Sequence, residues 1–335
     1  MKLEHKYIHI LHIAWLQMMK NKLLNLFVLG FALGSNFFWM PAHTAEFVVL
    51  GDMPYGTEVK IEESYRKLIT QINKESVGFV AHLGDIKSGS TLCSDEAYDR
   101  QKALFSMFVA PLIYTPGDNE WTDCHRKSNG GYDPLERLQK LRQVFFDSAY
   151  FDRNALLELD VQGRVDGRFP NFVENQMWVF SETLFVSVHV VGSNNNMESG
   201  TPAGAYEFSL RERANTHWIK QAFDRLESEK IRDIVVLFHG DPFVDWMMPE
   251  PSLMHPGFSQ TIRSVLFGMA HKTEKNVLIV HGDTHRYRWD QPFLVNGSSR
   301  TNVSRLVVPG ARDMRAIKIS IQRERDNYYR LEMIE

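Results

Sequence analysis

Apolar and polar positions along this chain follow two periods. Residues 47–50, 78–83, 111–115, 231–238 and 277–280 are short apolar runs rich in β-branched or aromatic residues. Runs of this length, bounded by turn residues, predict buried strands. Between them the period lengthens. Residues 58–73 place Ile61, Tyr65, Leu68, Ile69 and Ile72 on one stripe at helical spacing. Residues 95–108, 134–146, 211–226 and 260–269 also predict helices. Leu135, Leu138, Leu141, Val144 and Phe145 mark the inward face of 134–146, and Trp218, Ile219, Phe223 and Leu226 that of 211–226. Strand–helix–strand alternation predicts parallel strands joined by right-handed crossovers. Residues 177–191 read as two short strands around Ser181-Glu182-Thr183, the second running into Ser193-Asn194-Asn195-Asn196. Residues 293–295, 303–308, 316–321 and 328–333 read as an antiparallel series. Residues 147–172 show no clear period. No linker interrupts residues 46–335, which predicts one domain with two packed sheets and helices outside.

The first 45 residues have a different character. Residues 23–42 are strongly apolar, follow Lys20 and Lys22, and run into the small residues around Ala42 and Ala45. That order matches a secretory signal, with Met19 as an alternative start that gives it ordinary length. The competing reading is an uncleaved membrane anchor, weakened by Asn25, Gly30, Gly34, Ser35 and Asn36 within the run. The expected location is therefore periplasmic or secreted, without stable membrane association after cleavage.

Composition adds little. The 335 residues carry a formal net charge of −3, which offers no global attraction for nucleic acid. Two cysteines are too few for a disulfide scaffold. Cys93 and Cys124 lie shortly after Asp85 and Asp118, in loops leaving neighbouring strand ends. In an oxidising compartment they are expected to pair.

The chemistry sits at the strand ends. FVVLGDMPYG carries Asp52, FVAHLGDIKSG carries Asp85, and LIYTPGDNEWTDCHR carries Asp118. IVVLFHGDPF carries His239, and VLIVHGDTHRYR carries Asp283 and His285. In parallel α/β sheets ligands bind at the carboxyl ends of the strands. Carboxylates and imidazoles converging there are suitable ligands for divalent metals.

This ordered set of five motifs, spanning about 47 to 288, resembles the calcineurin-like metallophosphoesterases. The resemblance implies a four-layer α/β/β/α sandwich with two mixed β-sheets, and hydrolysis of phosphoesters by metal-activated hydroxide at a two-metal centre. It implies Asp52 on one metal, Asp85 bridging both, Asp118 and His239 on the second, and Asp283 and His285 on one metal each. The pattern departs from the family at three places. Pro54 stands where a histidine ligand is usual, Asn119 where the catalytic histidine is usual, and Asp283 where an imidazole is usual. Gapless matching keeps Glu120 and His285 in register. A one-residue slip would make Asn119 the amide ligand, and His281 could then supply an imidazole.

An oxygen-rich ligand set favours Mn or Mg, with Fe, Zn or Ca as alternatives. Lys87, Arg126 and Arg288 are candidate phosphate contacts, since cations hold phosphate oxygens. Asn119 can donate a hydrogen bond but not a proton, which leaves His125 as a candidate general acid. Asn194 and Asn195 read as turn residues, His189 and Trp121 as structural. The expected function is a metal-dependent phosphohydrolase acting on a small phosphorylated substrate. The alternative is a binding protein of the same fold with weakened turnover. Oligomeric state is not legible in the sequence.

Overall fold

A computed structural model of the chain describes residues 44–243, 254–292, 294–295, 298–299, 302–325 and 327–335. The signal or anchor assigned to residues 1–45 lies almost wholly outside the described residues. From Thr44 to Glu335 the chain forms one compact unit. Among the described residues no helix is long and apolar enough to cross a membrane.

In chain order the first strands are β1 (Ala45–Leu50), β2 (Val80–His82), β3 (Leu112–Tyr114), β4 (Asp160–Val161), β5 (Gln176–Phe180), β6 (Thr183–Ser187) and β7 (Asp233–Leu237). There follow β8 (Asn276–His281), β9 (Arg288–Asp290), β10 (Leu294–Val295), β11 (Ser298–Ser299), β12 (Val303–Val307), β13 (Ala316–Ile321) and β14 (Tyr329–Ile334). One sheet has the order β14-β13-β1-β2-β3, the other β4-β5-β6-β7-β8-β12-β9, and β10 pairs with β11 alone. The expected parallel cores are present: β1-β2-β3 in one sheet and β6-β7-β8-β12 in the other.

Strand alternation builds the layers. Phe47 and Val49 of β1 join Phe79, Trp178, Phe185, Val235 and Leu237 in a core between the two sheets. Val48 and Leu50 turn the other way, onto Tyr65, Leu68 and Ile69 of helix α1 (Val59–Ile72). Helices α2 (Asp95–Phe105) and α3 (Pro134–Phe145) complete that outer layer through Leu104, Leu138 and Leu141. On the far side Ile234 and Val236 of β7 pack against Trp218, Ile219 and Phe223 of helix α4 (Pro202–Ser228). The result is the expected four-layer α/β/β/α sandwich.

Three features differ from the reading of the sequence. Helix α4 starts at Pro202, nine residues before 211, because Thr201 caps Gly204 N and Pro202 occupies the first turn. Its first turns are largely exposed and so carry no apolar stripe to betray them. The predicted helix at 260–269 is a π-helix, Ser259–Phe267, continued by a short turn. The tail is not one antiparallel series. β12 runs parallel to β8, while β13 and β14 cross to the other sheet beside β1. Within 147–172 the chain makes two short helices, Ser148–Arg153 and Gln162–Val165, and strand β4.

Candidate metal centre

The loops leaving β1, β2, β3, β7 and β8 converge. Asp52, Asp85, Asp283 and His285 all hold positive φ, at 57°, 54°, 78° and 62°. Such angles are costly for residues with a Cβ and cluster where a site over-determines the backbone. Glycines make the close approach possible. A Cβ on Gly117 would overlap Asp85 Oδ1, and one on Gly282 would overlap Asp52 Oδ2.

Two groups of side chains offer converging ligand atoms: Asp52, Asp85 and His285, and Asp85, Asp118 and His239. Within each group the ligand atoms lie within 4.8 Å of one another, and Asp85 belongs to both. His239 Nε2 is 3.2 Å from Asp118 Oδ1 and 3.3 Å from Asp85 Oδ1. His285 Nε2 is 3.4 Å from Asp52 Oδ1. His239 Nδ1 lies 2.7 Å from the Leu83 carbonyl, which fixes it as the N–H donor and turns the Nε2 lone pair toward the carboxylates.

The electrostatics suit a bound cation. Asp52, Asp85 and Asp118 are buried, and among the described residues no lysine or arginine pairs with any of them. Burial pushes the Asp52 and Asp85 carboxyls well above the usual carboxylate range, against the opposing pull of His239. Burial also works against Asp118, but its bond to His239 and the His239 charge hold it down at about 2. Burial and the Asp118 charge raise Asp283 to about 7. His239 rises despite its own burial, because Asp85 and Asp118 favour the imidazolium. Buried acids of this kind are relieved by a bound metal, and the donor set, glycine cradle and imidazole orientation fit one.

Seven residues singled out from the sequence behave differently in three dimensions. Asn119 lies in the centre: its backbone N–H donates to Asp85 Oδ1 at 3.1 Å, and its amide Nδ2 donates to the Tyr55 hydroxyl at 3.0 Å and to Asp85 Oδ2. Lys87 is buried beside the acids, with burial lowering its ammonium and the Glu120 and Asp85 charges opposing that; its Nζ donates to the Ser88 carbonyl. Arg126 is exposed and pairs with Asp123 at 2.5 Å. His125 is exposed, with Nδ1 2.7 Å from the Thr122 carbonyl. Arg288 sits on edge strand β9, 3.8 Å from Asp290. Asp283 stands in neither ligand group; its Oδ2 accepts from the Asp241 N–H at 2.8 Å, and its own N–H donates to Asp52. His281 is buried and stacked on Phe238, and it too stands in neither group.

The structure adds residues that the sequence did not single out. The Tyr55 hydroxyl is 2.5 Å from Asp85 Oδ2 and 3.1 Å from His285 Nε2. Ser193 Oγ donates to Asp118 Oδ2 at 2.6 Å. Glu120 Oε1 accepts from Asp85 N, Gly117 N and the Tyr114 hydroxyl, so it ties the second and third loops together. Residues 193–196 all have positive φ, and Arg211 holds Asn195 through its side-chain and main-chain oxygens. Cys93 and Cys124 form a disulfide that closes the base of this region, with Cα atoms 5.8 Å apart.

Architecture and site together define a class: the chain has the calcineurin-like metallophosphoesterase fold, with Asp and His groups able to bind metal. Among solved structures, the purple acid phosphatase from yellow lupin (Lupinus luteus) seeds matches with a TM-score of 0.50 at 16% identity, over 83% of this chain and 49% of that one. This chain thus spans about half the length of the lupin enzyme, and the likeness is one of fold. A dimetal phosphatase from Danio rerio matches at 0.49 and 12% identity, over 86% of this chain and 98% of that chain. The anchor in the inner membrane complex of Plasmodium matches at 0.46 and 12%, over 87% and 89%. No family model and no curated protein sequence matches this chain.

Proposed function

We propose that the protein is a metal-dependent phosphohydrolase cleaving a phosphoester bond at a centre of two divalent ions. One observation carries this reading: Asp85 belongs to both ligand groups, so a single carboxylate can bridge two ions. Asp52 and His285 would complete one site, and Asp118 and His239 the other. Bound there, a pair of divalent ions supplies Lewis-acid polarisation of a phosphoryl oxygen and a nucleophile at neutral pH. With three carboxylates and two imidazoles, the set favours Mn or Mg.

The protein's own groups do the rest. The Leu83 carbonyl fixes the His239 tautomer, and Ser193 and Tyr55 orient the Asp118 and Asp85 carboxylates. The Asn119 amide, which donates to Tyr55 and Asp85, is assigned to a phosphoryl oxygen that would take the place of one of those partners. Lys87, which feels the Asp85 and Asp118 charges, and Arg126, paired with Asp123, are assigned to balance an anionic substrate. His125 donates its Nδ1–H to the Thr122 carbonyl, so Nε2 carries a proton only in the imidazolium form, and in that form it is the candidate proton donor to the leaving group. Arg288, held on the edge strand, is assigned the weakest share in phosphate binding. Asp283 is assigned to one metal by its position in the motif; its Oδ2 accepts from the Asp241 N–H, which leaves Oδ1 to offer to an ion. The disulfide supports export to an oxidising compartment, as does the apolar segment at 23–42.

The test is a panel of phosphomonoesters and diesters, assayed with the full chain reconstituted with Mn or Mg, alongside metal analysis. Turnover that needs metal supports the reading. Two bound ions without turnover of any ester would make the protein a binding member of the fold.

A further inference from the structure

Beside the metal centre lies a cavity of about 600 Å³. Ser193 and Asp123 line it, and Ser193 Oγ also donates to Asp118 Oδ2, so the cavity begins one side chain away from a candidate ligand. Its far walls are the first turns of α3 and α4, through Leu135 and Ala203. The volume lies within the range of small-molecule sites and far exceeds what a phosphoryl group fills.

We propose that this cavity binds the alcohol portion of the substrate, and that this alcohol is a small polyhydroxylated one, such as a hexose. The proposal rests on the phosphohydrolase reading and names its substrate class. The lining chemistry selects among esters. Among the described residues no Phe, Tyr or Trp lines the cavity, so they offer no aromatic face on which a nucleobase stacks. A second anionic group is disfavoured, because Asp123, Asp133 and Glu198 line the space while the guanidinium of Arg126 is engaged by Asp123 at 2.5 Å.

Hydroxyl groups suit what remains. They donate and accept, so they can satisfy carboxylate oxygens and imidazole or amide groups together. Glu198 Oε1 accepts from Asn194, and among the described residues no hydrogen bond engages its second oxygen. One Asp133 oxygen caps α3 at Leu135 and Glu136, leaving the other toward solvent. His125 turns Nδ1 to the Thr122 carbonyl and keeps Nε2 for an outside partner. Pro134, Leu135 and Ala203 give an apolar wall for the C–H faces of a sugar ring.

The experiment is calorimetric binding to the full chain loaded with Mn. The ligands are methylphosphonate and non-hydrolysable phosphonate analogues of a hexose 6-phosphate and of a nucleoside monophosphate. The expected result is a hexose analogue bound at least tenfold tighter than methylphosphonate and tighter than the nucleoside analogue. In Ala203→Trp, which fills the cavity, that advantage should shrink to about twofold or less. In Glu198→Gln, which leaves the helix starts untouched, it should fall three- to tenfold. Equal affinity for the hexose analogue and methylphosphonate, an advantage that survives Ala203→Trp, or a preference for the nucleoside would each overturn the assignment. Hexose binding as expected, but no hydrolysis of hexose 6-phosphate, would keep the cavity assignment and reject the catalytic reading instead.

Discussion

The Tyr55 hydroxyl donates to Asp85 Oδ2 at 2.5 Å, across thirty positions of sequence. It lies 3.1 Å from His285 Nε2 as well, so one phenol orients atoms in the loops after β2 and β8. Removing a group that orients a metal ligand commonly costs 10–100-fold in metal affinity. Tyr55→Phe is therefore expected to weaken Mn binding by about 10-fold or more while leaving the fold intact. Metal titration by calorimetry, with circular dichroism as the control for folding, checks this. An affinity within twofold of the parent protein would remove Tyr55 from the site.

Asp85 is the residue with no substitute, because it alone appears in both ligand groups. Asp85→Asn keeps the shape and removes the charge. The expected outcome is loss of paired metal binding, read as metal content per chain, together with loss of any phosphoester hydrolysis. Two ions retained with normal turnover would refute the two-metal assignment.

The disulfide closes a loop of 31 residues. In the chain-entropy model a loop of that length stabilises the folded state by roughly 3–4 kcal/mol. Cys93→Ser with Cys124→Ser should lower the unfolding free energy by about that amount in urea denaturation. A loss of under about 1 kcal/mol would show that the native state holds this region by other contacts.

Glu174 is buried between Arg142 at 2.5 Å and His189 at 2.7 Å, and this network lies under the strand leading to residues 193–196. Burial works against its carboxylate, but the Arg142 charge and the bond from His189 hold its pKa far below the ordinary 4.5. A depressed acid contributes stability that is present above the unfolded pKa and lost as pH falls through the folded one. Glu174→Gln should destabilise by about 3 kcal/mol at pH 7, since it strands a buried cation. At pH 3.5 the gap to the parent protein should be about 1 kcal/mol smaller. Urea melts at the two pH values decide it: a gap that is constant or wider in acid would exclude a charged Glu174.

Much of this protein was determined by local sequence. A β-branched run followed by Gly and Asp specifies a strand end that presents a carboxylate, and this holds for Asp52, Asp85 and Asp118 without regard to the rest of the chain. His239 and His285 were legible for the same reason, and so were the stripes of α1 and α3. The disulfide followed from two loops leaving adjacent strands. What the tertiary structure alone decided depends on distance in sequence. Tyr55 reaches Asp85, and Ser193 reaches Asp118 over 75 positions; neither contact has a local signature. The partners of β12, β13 and β14 were equally hidden, because alternation marks a strand without naming its neighbour. Asp283 shows the limit most sharply. Its place in the motif is local, but at a φ of 78° its carboxylate points where the Asp241 N–H draws it, and only the packed loops set that direction.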